Sequence, residues 1–249
     1  MTWYERAFGP DYLALYPHRD DAEAERDVTS LLALIDPPRD EPLLDLGCGP
    51  GRHLLALRRH GFTDLTGIDL SQDLLNVAAE RFRMIEPHPI RLLRADMREI
   101  PFDSHFATTI SMFTSFGYFE SVSEDARMLR AVHDALRPHG VFLLDTLNRH
   151  WTIQHLVPRE SRTVGSLHLE ITRSITPDGD RVEKTTRVVE RDRAERTYGE
   201  SVRMYEPEQL RTLLVDAGFR RVDLHGSLDG SPLHPKSRRT IALARRGSR

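Results

Sequence analysis

Short apolar runs alternate along most of the chain with stretches whose apolar residues return every third or fourth position, the rhythm of strands interleaved with amphipathic helices. Leu43 to Leu46 is the first such run, and a helix follows over residues 52–60, where Gly61 offers a left-handed cap. Residues 65–69 read as a second strand. Ser71 then caps a helix with Leu74, Leu75, Ala78, Ala79 and Phe82 on one face. A third and a fourth strand are predicted over 90–93 and 108–113. Ser121 and Glu124 stand at capping-box spacing before a helix that buries Met128, Leu129, Val132, Ala135 and Leu136. Residues 141–145 make a fifth strand, Pro207 opens a last helix closed by Gly218, and strands near 221–225 and 239–244 end the pattern.

Two regions depart from this rhythm. Before the first strand lies an aromatic leader containing Trp3, Tyr4, Tyr12 and Tyr16, then a helix with Val28, Leu31, Leu32 and Ile35 on one face. Over residues 156–205 the apolar period drops to two, as in Leu167, Leu169 and Ile171 and later Val182, Thr186 and Val188, with Asp178-Gly179 as a hairpin turn. We expect three antiparallel strands there, serving either as a flap over the carboxyl ends of the main strands or as a structural or dimer-forming set, since edge strands pair readily. The chain thus divides into a helical leader (1–40), a core (41–155), the insertion (156–205) and the rest of the core (206–249).

Charge and cysteine content narrow the partners. Thirty-five basic against 38 acidic residues leave a net charge of −3, which supplies no general attraction to nucleic acid or anionic membrane. Cys48 is the single cysteine, so an internal disulfide framework is ruled out and a reducing cytoplasm is expected. Neither a cleavable signal pattern nor an apolar run of membrane-spanning length is present. The 12 histidines show no metal-ligand spacing, and Asp145 with Asn148 is too little for a magnesium site, so no metal is expected.

The chemistry lies in Leu43-Leu44-Asp45-Leu46-Gly47-Cys48-Gly49-Pro50-Gly51 and in Gly67-Ile68-Asp69-Leu70-Ser71. Each strand ends near an acidic residue, and the first opens through glycines into a helix, which is how an open α/β sheet holds a nucleoside. A dinucleotide fingerprint would carry a third small residue where Arg52 stands, and Asp45 would repel a pyrophosphate. A cationic ligand suits Asp45 better.

With an acidic residue ahead of G-x-G-x-G, the chain resembles the class I methyltransferase family. That resemblance implies a seven-stranded, doubly wound, mostly parallel α/β sheet and S-adenosyl-L-methionine as cofactor. It implies that Asp69, 22 residues after Gly47, holds the ribose hydroxyls, and that Asp96 accepts from the adenine amino group. Asp45, Gly47, Cys48, Gly49, Leu70, Met97 and Met112 join them as expected cofactor-binding residues. The stretch from Ser111 to Phe119 is similar to small-molecule methyltransferases related to the amino-sugar N,N-dimethyltransferases. By that likeness Tyr12, Tyr16 and Arg19 fold over the cofactor, with Arg19 meeting its carboxylate. One departure is Ala107, where the family often has aspartate after the phenylalanine opening strand four.

The acceptor is expected to be a small molecule with an N or O nucleophile, attacked by in-line displacement. No N/D-P-P-Y/F tetrad follows strand four, where Met112-Phe113-Thr114-Ser115 stands, which argues against nucleic acid. A hydroxyl acceptor would want a base, for which Tyr16, Asp145, His150 and His155 are candidates. An apolar rim of Phe113, Phe116, Tyr118, Phe119 and Trp151 would instead suit C-methylation of a quinone or lipid, and a non-catalytic cofactor-binding subunit is a third reading.

Overall fold

The computed structural model describes residues 2–83, 89–191 and 193–248. It begins with two single-turn helices, α1 (Trp3–Ala7) and α2 (Tyr12–Leu15), and a longer α3 (Asp21–Ile35), which Asp20 caps by accepting from the Glu23 amide. Strands and helices then alternate: β1 (Leu43–Leu46), α4 (Arg52–Arg59), β2 (Leu65–Asp69), α5 (Gln72–Phe82), β3 (Arg91–Arg94), β4 (Phe106–Ser111), α6 (Val122–Ala135), β5 (Leu136–Leu147) and a short α7 (Arg149–Gln154). Four strands follow, β6 (Arg159–Val164), β7 (Leu167–Ile175), β8 (Arg181–Glu190) and β9 (Arg196–Arg203), before α8 (Pro207–Asp216), β10 (Phe219–His225) and β11 (Arg239–Arg246).

Seven strands form one sheet in the order β10-β11-β5-β4-β1-β2-β3, parallel except for β11, which runs against both its neighbours. Successive residues of β1 serve opposite faces, as the pleat requires. Leu44 and Leu46 join a cluster with Phe106, Phe142 and Met128 under α6 and α8, while Leu43 joins Leu31, Leu54 and Leu57 under α3 and α4. Registers such as Leu43 opposite both Leu65 and Thr108 bring the carboxyl ends of β1, β2 and β4 level, which leaves the loops after them facing one another.

Three departures from the sequence pattern have physical causes. β4 ends at Ser111 rather than continuing to 113, because Phe113 and Thr114 both take left-handed backbone (φ 56° and 64°). β5 starts earlier than residue 141, since Leu136 pairs with Phe106 across a register shift, and His139 (φ 66°) lies within the irregular part. The insertion has four strands, not three. Its first, β6, carries Arg159, Glu160 and Arg162 instead of an apolar alternation, and only its pairing with β7 reveals it.

Candidate active site

A pocket opens at the carboxyl ends of β1 to β4, and the structure gathers Tyr12, Arg19, Gly47, Cys48, Gly49, Asp69, Leu70, Asp96, Met97 and Met112 on its wall. Its floor is the glycine loop. The amides of Gly47 and Cys48 donate to the Ile68 carbonyl (2.8 and 3.0 Å), which ties the loop to the end of β2. Gly47 has φ 78°, and a Cβ there would lie 2.8 Å from Ser115 Oγ, so this position excludes any side chain.

Asp69 is the organiser of the floor. Its two oxygens accept from the Gly49 and Ser71 amides, each at 2.8 Å. Burial raises its carboxyl, and the backbone donors of Ser71, Gly49 and Leu70 act against that rise. A carboxylate has about four acceptor sites, so two amides leave room for a pair of hydroxyls. Asp96 is differently placed: it lines the wall, but Arg98 grips its carboxylate with Nε at 3.0 Å and Nη2 at 2.6 Å. Burial opposes the charge on Asp96, yet Arg98 holds it below the usual range. Arg98 is itself anchored by Glu124 at 2.5 Å and stacks 4.3 Å over the Phe119 ring.

Asp45 is not on the wall. It points beneath the loop, 1% exposed, with Oδ2 lacking a hydrogen-bond partner. Burial pushes its carboxyl up to about 6, against the opposing pull of His53 and Arg52. Its position on the α3 and α4 side of β1 is the reason, and it reaches a ligand through the field alone.

The leader supplies the roof. Arg19 donates to the Tyr12 hydroxyl, with its guanidinium 4.7 Å from the Tyr16 ring centroid and 5.7 Å from that of Phe113. It makes no ion pair with a carboxylate among the described residues. Tyr118 forms an aromatic wall with Tyr4 and Phe8, stacked at 6.4 and 5.6 Å. Arg181 of β8 fixes that wall from behind, donating to the carbonyls of Phe119 (3.0 Å), Gly117 (3.2 Å) and Tyr118 (3.4 Å).

None of the candidate bases stands on this wall. Tyr16 turns away, donating to Glu200 at 2.6 Å and accepting from Lys184, and burial drives its hydroxyl far above the usual range. Asp145 is closed by Arg239 (2.5 Å) and by the Phe113 amide (3.1 Å), a role in shaping the Phe113 turn. His150 is exposed on α7 and bonded to Gln154, and exposed His155 stacks on Trp151 at 4.5 Å. The apolar rim is also reduced, since Phe116 is buried in the core (1% exposed) and Trp151 lies off the wall. The Phe113 turn, His53 and the Arg181 anchor were not visible in the pattern. A lone histidine after G-x-G-x-G-R carries no spacing signal, and contacts across 60 residues carry none at all.

Residues 43–140 match a family model described as a methyltransferase domain. Among curated proteins, the dTDP-3-amino-3,4,6-trideoxy-alpha-D-glucopyranose N,N-dimethyltransferase of Streptomyces venezuelae is 31% identical over 133 residues, 51% of this chain and 54% of that one. The chain spans about half the length of the curated relatives it matches. Among solved structures, an S-adenosylmethionine-dependent methyltransferase from Clostridium acetobutylicum superposes with a TM-score of 0.79 at 18% identity, covering 95% of this chain and 96% of that one. The SAM-bound amino pentose methyltransferase CalS10 from Micromonospora echinaspora gives 0.68 at 22% identity, over 94% and 96%. The class I methyltransferase fold is therefore shared along nearly the whole chain.

Proposed function

We propose that this chain, whose residues 43–140 match a methyltransferase-domain family model, transfers a methyl group from S-adenosyl-L-methionine to an amine on a small molecule. The observation that carries the reading is the charge layout of one pocket. Arg19, a guanidinium with no carboxylate partner among the described residues, stands on the same wall as Asp69, a carboxylate with acceptor sites to spare, and Asp45 adds negative field beneath them. That layout fits a ligand bearing a carboxylate, a cationic centre and a pair of ribose hydroxyls, as S-adenosylmethionine does.

The bound cofactor supplies an activated methyl on a sulfonium. The protein's part is positioning and exclusion of water. Arg19 would hold the carboxylate, Asp69 the ribose, and Leu70 and Met97 the apolar faces of the adenine. Asp96 meets the base only at the edge Arg98 leaves open. Tyr12 and Phe113 face the pocket where aromatic rings favour a cation. The amine acceptor is favoured because the Streptomyces venezuelae relative is named for methylating an amino sugar and because a small, aromatic-walled pocket excludes a polymer. The loss of Phe116 and Trp151 from the rim weakens the quinone or lipid alternative.

Calorimetry with S-adenosylhomocysteine tests the cofactor assignment. Binding is expected, and Asp69→Ala should weaken it by about 1 to 3 kcal/mol through loss of charged hydrogen bonds. Absence of heat with cofactor-free protein would defeat the reading. A homocysteine-release screen of amines, phenols and quinones then identifies the acceptor class. The open edge of β6 is the surface a homodimer would use, which light scattering checks.

A further inference from the structure

His53 occupies the first turn of α4, directly behind the glycine loop, and its ring forms part of the pocket wall although only 6% of the residue is exposed. The imidazole packs against Phe113 with centroids 5.5 Å apart. Its Nε2 faces Asp27 Oδ2 of α3 at 3.6 Å, longer than a hydrogen bond, and neither atom has another partner. Nδ1 takes part in no hydrogen bond among the described residues. A buried imidazole nitrogen left without a partner is costly, and Nε2 is one, on a residue that lines the pocket.

The geometry points to His53 as the catalytic base of the methyl transfer, with Asp27 as the positioning residue that orients its ring. The inference rests on the methyl-transfer reading above. The carboxylates and the thiol on the wall are engaged or unsuited. Asp69 keeps its free acceptor sites for the ribose hydroxyls in that reading, Arg98 holds Asp96, Thr2 holds Glu5 and Arg19 the Tyr12 hydroxyl, burial pushes the Cys48 thiol and the Tyr118 hydroxyl up, and Asp73 stands exposed at the rim. Histidine is the side chain whose ordinary pKa lies near neutrality, where a general base works best.

The acceptor's N–H gives its proton to Nδ1 of His53, its lone pair forms the bond to the methyl carbon, and the electrons of the broken carbon–sulfur bond stay on sulfur. Asp27 faces the resulting imidazolium at Nε2–H, and the proton later leaves to water. Asp45 from β1 and Asp145 from β5 add negative field, while Arg52 on α4 itself and the Arg19 and Arg239 guanidiniums around the Phe113 ring oppose it.

Nitrogen NMR of the full chain with bound S-adenosylhomocysteine reads the ring directly and needs no acceptor. A proton on Nε2 with a bare Nδ1 is expected, and Asp27→Asn should mix the two tautomers. With the amine found by the release screen, kcat/KM should rise with pH through the imidazole pKa measured by NMR. His53→Gln should lose that limb and about 100-fold in kcat, the usual worth of a general base, while S-adenosylhomocysteine affinity stays within about threefold. A protonated Nδ1 in the wild type overturns the inference without touching the methyl-transfer reading. So does a His53→Gln variant that keeps the pH limb and loses product affinity instead, which would make His53 a cofactor ligand. A wild-type chain that binds no S-adenosylhomocysteine sinks both.

Discussion

The seven-stranded sheet and the four-stranded sheet meet at one pocket and are held together by opposite means. The larger is sandwiched between two apolar layers, with Leu44, Leu46, Phe142 and Leu144 on one face and Leu43, Leu65 and Leu143 on the other. The smaller has a thin apolar stripe of Leu167, Leu169, Ile171 and Val188 against Leu15, and otherwise grips the leader through charge. Arg196 and Tyr198 hold Asp11, Arg162 donates to the Leu15 carbonyl at 3.2 Å, and Tyr16 sits between Lys184 and Glu200. Their buried acids differ too. Asp45 in the floor is unpaired and raised, whereas Glu200 in the roof is held below the usual range, its burial outweighed by Lys184 and Tyr16. The floor therefore carries an unmet buried charge, and the roof spends its charges on cohesion.

The sharpest way to break this contrast is in the cores. Leu44→Ala, at a fully buried floor position, should cost about 2 to 5 kcal/mol of global stability in a urea titration. Leu169→Ala in the roof is equally buried, but its cluster is small, so it should loosen residues 156–205 to proteolysis while the main transition stays in place. One cooperative loss of both sheets would show that the roof is part of the core.

Asp45 gives the next largest effect, in the stabilising direction. Its folded pKa of about 6 stands above an unfolded value of about 3.9, so the native state binds the extra proton between those values. The stability of the ligand-free protein should fall as pH rises through that window and level off above it. Asp45→Asn should flatten the fall and gain on the order of 2 kcal/mol in mildly alkaline buffer. If the buried charge serves the proposed cofactor, the same change should also weaken binding of S-adenosylmethionine, whose sulfonium is cationic, more than that of S-adenosylhomocysteine. A melting curve with the wild-type pH slope after Asp45→Asn would remove this account.

Much of the floor could be read from the chain and little of the roof. The β1 and β2 bounds, the Ser71 cap and the Ser121 capping box follow from local patterns, and the structure has them where the pattern put them. Their signals lie within a few residues of the atoms they position. Glycine spacing likewise marked the loop now seen on the pocket wall. The roof depends on partners far apart in sequence, such as Arg196 with Asp11 or Tyr16 with Glu200, and β6 has no apolar alternation to announce it. Asp45 was placed on the wall because its spacing is right; the pleat of β1 turns it under α4 instead. Asp145, at the end of an apolar strand, looked available until Arg239 arrived from the other end of the chain.

Arg181 tests whether roof and floor share one wall. It donates to three successive carbonyls behind Tyr118 and to the Ser201 carbonyl at 2.8 Å. Arg181→Met keeps much of the stem but takes the donor from the Phe119 carbonyl, while Gly117 keeps the Arg203 amide and Tyr118 the Trp3 indole, at about 1 to 3 kcal/mol. Cofactor affinity should fall with it if Tyr118 is positioned from the roof, and calorimetry on the folded variant reads that directly. Unchanged affinity would make the anchor a matter of stability alone.

The smallest effect belongs to the Tyr16 hydroxyl, and it separates cohesion from ligand contact. Removing it by Tyr16→Phe keeps the ring under Arg19 and leaves Lys184 and Glu200 paired at 2.8 Å, so the two hydrogen bonds from the leader to that pair are lost while the pair itself stays satisfied. The expected cost is about 1 to 2 kcal/mol, the low end for two such bonds because Lys184 and Glu200 keep each other as partners. Because Tyr16 sits behind the wall, the loss should appear as faster amide exchange in both α2 and β9, with the pocket itself intact. Turnover should then fall only as far as the leader opens, and saturating S-adenosylmethionine should restore it, since ligand bound to the closed form pulls the leader back. A deficit in kcat that saturation does not repair would mean that the hydroxyl acts on the reacting atoms, and Tyr16 would return to the candidates for catalysis.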